Sequence, residues 1–401
     1  MKVALVHDYL NQWGGAEEVL LAFHELFPDA PIYTLFYDEK LPLGEKTDEQ
    51  QDQGGTLPIT DIPRELVRPS GLQKLPKWLR NSRLLMPVYP TSIEMLDLSA
   101  YDLIVSDSSS YAKGVITRPD TVHICYLHTP TRYLWDYHER YLAEQKIGWF
   151  KKTLIVPMLS FLRVWDCWAA DRVDFFIANS ENVRDRIRKY YNRDATVIYP
   201  PIDVQGRKEE VARQLICRET KEIYDGTESF DNYYLFVGRL SAYKRVDLAI
   251  EACNRLQLPL MVVNTGREEE ALREQAWSTV RFAGHVTREE LADIYRHCKA
   301  LIMPGLEDFG MVMVEAMSYG KPVIAFEGGG ALEIVKPGMN GEFFRKETPR
   351  SLMDTIRIFE QKWQNGAYLP VEIHSSVERF DRSEFVKQIR SFIEKHTTIS
   401  K

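Results

Sequence analysis

Two carboxylates and two cations stand out for their spacing. Glu307 and Glu315 bracket the turn Asp308-Phe309-Gly310, and the apolar run Met311-Val312-Met313-Val314 after it opens a buried helix that stops at Gly320, before a Pro-led strand. Such a turn aims backbone N–H groups outward at the positive end of the helix, where they can hold an anion. Glu307 stands before the turn, and Glu315 falls about two turns into the helix. That separation is too great for a simple acid–base pair. It fits two hydroxyl-rich parts of one long ligand, a layout that sugar, diphosphate and ribose share in a nucleotide sugar. The cations lie in Gly238-Arg239-Leu240-Ser241-Ala242-Tyr243-Lys244-Arg245, after another apolar run. Arg239 and Lys244 leaving one strand end together suit a diphosphate bridge, and a solvated charged loop is the competing reading.

Other strand ends carry weaker signals. Gly14 and Gly15 follow the first apolar run and open a helix bearing Val19, Phe23, Leu26 and Phe27, which suits either close approach of a phosphate or sugar or a tight turn. His128, in Tyr126-Leu127-His128-Thr129-Pro130-Thr131-Arg132, is a hydrogen-bonding structural residue or, given its strand-end position, part of a ligand cleft. Gly328-Gly329-Gly330 either touches phosphate or permits a tight connection. Ser108-Ser109-Ser110 lacks the Gly-x-Ser-x-Gly elbow of a serine hydrolase. There is no Asp-x-Asp triplet and no His-Glu-x-x-His, so a metal-held nucleotide or a zinc site lacks its usual ligands, and neither metal nor cofactor is expected.

The elements that must position these residues follow from the pattern of the chain. At 401 residues it is long enough for two cores. Strand-like runs at 3–6, 103–106, 122–127, 175–178 and 196–199 alternate with helical patterns, and so do runs at 234–237, 260–263, 300–303, 323–326 and 341–344. Such alternation predicts two Rossmann-like α/β domains, each a parallel sheet wound on both faces. The boundary is expected after Pro200, giving domains at 1–200 and 201–380, with a helix at 381–401 packing back across the first; residues 45–55 read as a mobile polar loop. Five scattered cysteines and no apolar run of membrane-spanning length predict a protein of the reducing cytosol, and a net charge of −7 argues against nucleic-acid binding.

Taken together, Gly238-Arg239-Leu240 with Lys244, the Glu307 to Glu315 segment, Gly14-Gly15 and Ala178-Asn179-Ser180 resemble family 4 of the retaining glycosyltransferases, of GT-B architecture, over nearly the whole chain. His128-Thr129-Pro130-Thr131-Arg132-Tyr133-Leu134-Trp135 and Tyr199-Pro200-Pro201-Ile202-Asp203 resemble more narrowly the bacterial mannosyltransferase-like branch of O-antigen and exopolysaccharide synthesis. The resemblance implies two doubly wound domains facing a central cleft and a donor such as GDP-mannose or a UDP-hexose like UDP-glucose. It also implies a glycan or polyprenyl-diphosphate-linked acceptor. On the same ground, Glu307 holds donor-sugar hydroxyls, Glu315 the ribose, and the backbone N–H groups of Phe309, Gly310, Met311 and Val312 meet sugar and phosphate. Arg239 and Lys244, beside Gly238, neutralise the diphosphate, His128 lines the sugar site, and Gly14-Gly15 closes on phosphate or acceptor. One departure is Val263-Asn264-Thr265-Gly266-Arg267, where relatives often carry Gly-x-Gly.

Rival readings are a nucleotide-sugar epimerase, a phosphorylase-like enzyme needing a lysine-bound cofactor, and an inactive homologue serving as an assembly partner. Finally, the basic, aromatic-bearing stretches 73–85 and 147–154 suit either peripheral contact with the inner face of the cytoplasmic membrane or faces buried in the protein.

Overall fold

The computed structural model describes residues 1–39, 62–80, 85–139, 142, 149–212 and 232–398. The loop expected at 45–55 lies outside them. The chain folds as two compact units, one of Met1–Pro201 with Phe385–Lys401 and one of Ile202–Glu384.

The first unit holds seven strands: β1 (Val3–His7), β2 (Ile32–Thr34), β3 (Val67–Pro69), β4 (Leu103–Ser108), β5 (Val122–Leu127), β6 (Phe175–Ala178) and β7 (Ala195–Val197). All neighbours pair in parallel, in the order β3-β2-β1-β4-β5-β6-β7. The second unit holds β8 (Tyr234–Val237), β9 (Leu260–Val263), β10 (Val280–Gly284), β11 (Ala300–Met303), β12 (Val323–Phe326) and β13 (Gly341–Phe344), parallel in the order β10-β9-β8-β11-β12-β13. The helices that bear on the site are α1 (Gly15–Leu26), α2 (Trp149–Asp171), α3 (Val246–Leu256), α4 (Arg288–His297), α5 (Met311–Ser318) and α6 (Arg382–Thr398).

Burial on both faces explains why β4 and β5 read as unbroken apolar runs: all six residues of each are buried. One face of the first sheet packs under α1 and α6, where Phe23 meets Tyr126 and Phe385 edge-on at 5.8 and 5.7 Å. That aromatic trio is why the terminal helix belongs to the first unit although the chain has passed through the second. The other face packs against Leu159, Leu162, Trp165 and Ala169 of α2.

The strand orders matter for function. In the first unit the chain steps outward from β1 to β2 and β3, then returns to place β4 on the other side of β1. In the second it steps from β8 to β9 and β10, then returns to β11. Each sheet therefore reverses direction between two central strands, β1 and β4 or β8 and β11, and leaves a crevice beyond their carboxyl ends.

Candidate active site

In the second unit the crevice is built from the loops after β8 and β11. Lys244 lies on a single 3-10 turn, Ala242–Lys244, before α3, and its Nζ donates to Glu307 Oε1 at 2.6 Å. The two side chains are 14% and 13% exposed, so the pair is sheltered but reachable. A cation and a carboxylate 63 residues apart thus meet at the switch point between β8 and β11. Arg239, on the same loop, is exposed. Gly310 caps α5 with φ of 93°, a left-handed conformation that turns the chain from Glu307 into the helix and that a side chain would strain. The N–H groups of Met311 and Val312 open the helix, while the Phe309 ring is core, set edge-on to Phe380 at 5.3 Å.

Glu315 is the fifth residue of α5, closer to the turn than the two helical turns expected. It has its own support: the buried Tyr295 of α4 donates its hydroxyl to Glu315 Oε2 at 2.9 Å. Burial, aided by the Glu315 charge, pushes the Tyr295 phenol well above its ordinary pKa and keeps it a neutral donor. Glu307 and Glu315 thus answer to different partners. Gly328-Gly329-Gly330 presses on this loop, since a Cβ on Gly329 would sit 2.1 Å from the Glu307 carbonyl oxygen and one on Gly330 2.3 Å from that of Phe309. Close packing against the backbone of the Glu307 loop accounts for Gly329 and Gly330. Leu240 donates its N–H to Thr265 O and accepts from Glu268 N, so the segment that departs from Gly-x-Gly braces the Arg239 loop.

In the first unit the corresponding crevice holds His7 at the end of β1, Asp107 on β4 and His128 after β5. His7 Nδ1 lies 2.8 Å from Asp107 Oδ2, and His128 Nε2 bonds the other oxygen, Asp107 Oδ1. One buried carboxylate therefore bridges two imidazoles. Glu17 of α1 approaches His7 Nε2 at 3.7 Å from the far side. Burial alone would lower the His7 pKa, but the hydrogen bonds and charges of Asp107 and Glu17 outweigh it and push it up to about 10. Burial likewise works against the Asp107 charge, and the two histidines more than offset it, holding the carboxyl below its usual range. Gly14 caps α1 in extended backbone, with φ of −167° and only Glu17 Oε2 near a hypothetical Cβ, at 3.4 Å. No backbone strain calls for glycine at position 14.

Residues 13–205 match the family described as Glycosyltransferase Family 4, and residues 220–368 match Glycosyl transferases group 1. The chain belongs to the family-4-like glycosyltransferases of GT-B architecture. It is 29% identical over 194 residues to an uncharacterized glycosyltransferase of Methanocaldococcus jannaschii, covering 47% of this chain and 50% of that one. To O-antigen chain mannosyltransferase C of Escherichia coli it is 27% identical over 217 residues, 51% of this chain and 53% of the relative. The matches thus span about half the length of these curated relatives. The crystal structure of HepE from Anabaena in complex with UDP and glucose shares the fold, with a TM-score of 0.66 at 21% identity over 98% of this chain and 99% of HepE.

Of the second-unit residues singled out by spacing, Lys244 and Glu307 are in contact, Arg239 lies on the same loop as Lys244, and Glu315 has a separate partner in Tyr295. Sequence reasoning missed His7, Asp107 and Glu17 in the first unit. The available signal was position alone: His7 and Asp107 are paired across β1 and β4 at their carboxyl ends. It also read no role into Asp8, whose carboxylate accepts from the N–H groups of Ser109, Tyr111 and Ala112 at 2.6–2.7 Å and so wraps the serine triplet as structure.

The raised His7 pKa makes a stability prediction. A histidine at about 10 when folded and 6.5 when unfolded contributes stability fully below pH 6.5, and that contribution disappears as pH rises through 10. Melting temperatures of the parent and His7→Gln should differ most near pH 6 and converge toward pH 10. A difference that stays constant over that range would show that His7 is not held protonated.

Proposed function

We infer that this protein is a retaining hexosyltransferase that moves a sugar from a nucleoside-diphosphate sugar to a hydroxyl of a glycan or lipid-linked oligosaccharide, on the cytoplasmic side, in cell-surface polysaccharide synthesis. The observation that carries the reading is the Lys244–Glu307 pair at the switch point beside α5. An ammonium has three donors, so Lys244 can keep its bond to Glu307 and still donate to diphosphate oxygens. Glu307 has further acceptor capacity for sugar hydroxyls, and Glu315, steadied by Tyr295, takes those of the ribose. The family resemblance supports configuration being kept. The O-antigen relative is named a mannosyltransferase and the HepE structure holds UDP and glucose, which supports GDP-mannose and UDP-glucose as the donors to try first.

The chemistry asked of the chain is electrostatic. The bond between the anomeric carbon and the β-phosphate oxygen breaks, its electron pair leaving with the diphosphate. The acceptor hydroxyl oxygen bonds the same face of the carbon, and its proton passes to a departing phosphate oxygen. Lys244 and Arg239 stabilise the charge that develops on the diphosphate, so no side-chain nucleophile is required. Within the first unit, Asp107, itself pinned by His7, fixes the orientation of His128.

The test is release of nucleoside diphosphate from GDP-mannose and UDP-glucose with and without EDTA. Release from one of them, unchanged by EDTA, is expected, because the two cations supply the positive charge. Loss of activity on chelation, restored by magnesium or manganese, would contradict the metal-free mechanism. Binding of a donor with no turnover under any acceptor would favour the assembly-partner reading.

A further inference from the structure

Both helices that leave the second-unit crevice are entered through a left-handed residue. At α5 it is Gly310, which has no Cβ to clash; at α3 it is Arg245, with φ of 54° and ψ of 39°. The residue that opens a helix ordinarily has extended backbone and a short side chain that accepts from the first N–H groups. Arg245 has neither, and no side chain caps α3. A long side chain in this backbone conformation persists only where its surroundings hold it.

What holds it is the guanidinium fork. Arg245 Nε donates to Asp247 Oδ1 at 3.1 Å and Nη2 to Asp247 Oδ2 at 3.0 Å, a paired geometry that a lysine cannot copy. Its Nη1 donates to Glu347 Oε2 at 3.0 Å, which ties the loop after β8 to the chain just past β13, 102 residues on. The Arg245 and Glu347 side chains are 25% and 21% exposed, so this arm of the fork is partly sheltered from water.

The turn held in this way sets where Lys244 stands. The N–H of Arg245 donates to Ala242 O at 3.2 Å, and its carbonyl accepts from Leu248 N at 3.1 Å, so one residue ends the 3-10 turn and starts α3. From the other side, a Cβ on Gly305 would lie 2.6 Å from Tyr243 O and 2.9 Å from Lys244 Cα, so the chain leading to Glu307 packs directly on the Lys244 backbone. Between these two constraints the Lys244 ammonium reaches Glu307 Oε1 at 2.6 Å. Relaxing residue 245 to negative φ would redirect the chain between Lys244 and α3 and carry that ammonium with it.

We propose that Arg245 is a positioning residue for sugar transfer: its fork onto Asp247 and Glu347 holds the left-handed turn that aims Lys244 at the donor diphosphate. Arg245 itself touches no donor atom and acts through Lys244. The proposal rests on the reading of Lys244 as a diphosphate cation, and the experiment separates the failure of one from the failure of the other.

Steady-state kinetics with GDP-mannose or UDP-glucose, whichever the parent turns over, are measured for the parent, Arg245→Gly, Arg245→Lys, Lys244→Ala and the double variant Arg245→Gly, Lys244→Ala. Glycine adopts the left-handed turn freely, so Arg245→Gly unlocks the turn without straining it, and its melting temperature should stay close to parental. Its kcat should fall at least about tenfold with KM little changed, since misplacing a catalytic group by about 1 Å can cost on the order of 100-fold. Arg245→Lys keeps the charge but not the fork and should show the same kcat loss in milder form; it carries the comparison if the glycine variant does not fold. In the double variant, Arg245→Gly should add less than about twofold to the loss from Lys244→Ala, because a residue that acts through another is silent once that other is gone. Near-parental kcat in both Arg245 variants would overturn the proposal. Equal fold losses from Arg245→Gly with and without Lys244, beside an impaired Lys244→Ala, would overturn it alone and make the fork a general support of the unit. Near-parental rates for Lys244→Ala would sink the diphosphate assignment and this proposal with it.

Discussion

Replacing Lys244 by alanine should lower kcat/KM about 100- to 1,000-fold with the fold intact. Removing one preorganised donor to charge that develops in the transition state typically costs roughly 2.7–4 kcal/mol of barrier. Lys244 is placed for such a role: its ammonium is held by Glu307 at 2.6 Å, on a loop braced from α3 and from the segment after β9. The fold should survive because the side chain sits at the crevice rim, sheltered but reachable. Arg239→Ala should fall in the same direction, since Arg239 shares the loop and is exposed. Steady-state kinetics with the active donor, beside melting curves, would show it. Near-parental rates in both variants would mean that the diphosphate lies elsewhere.

Glu307→Gln and Glu315→Gln should fail in different ways. The first keeps shape but removes the charge that pairs with Lys244 and accepts sugar hydroxyls, so kcat should drop strongly. The second removes charge one helical turn past the Gly310 cap, on a carboxylate steadied by Tyr295, so the nucleotide should bind more weakly and KM should carry the loss. Tyr295→Phe should reproduce the Glu315 effect more mildly, by removing the hydroxyl that orients the carboxylate. Equal, purely affinity-based losses for Glu307→Gln and Glu315→Gln would contradict the division of roles.

The central strands were legible because burial on both faces leaves continuous apolar runs, as in Ala300–Met303 and Val323–Phe326. The strands β2 and β3, three residues each on the flank of the first sheet, carry too little pattern to be read, and only the first residue of β10 is buried, the rest being exposed or half-buried. Thr196 and Val197 belong to β7, which starts one residue earlier and ends before the Pro pair. The donor-side motifs were legible because each is contiguous, and the strand order needed only to bring two of them together. The bridge from His7 through Asp107 to His128 was not, because 100 and 21 residues separate its members and only the β1-β4-β5 order makes them neighbours. The glycines at 329 and 330 show the converse: backbone crowding against the Glu307 loop leaves no room there for a side chain.

The central claim is that the Lys244–Glu307 crevice holds a sugar diphosphate. Its most direct test is the thermal shift of the parent and of Lys244→Ala with GDP-mannose and UDP-glucose. A ligand at a hundred times its dissociation constant stabilises the folded state by about 2.7 kcal/mol. One of the two should raise the parent's melting temperature in a saturable way, and Lys244→Ala should need a much higher concentration for the same shift. No shift with either donor, or an identical response in the variant, would contradict the account.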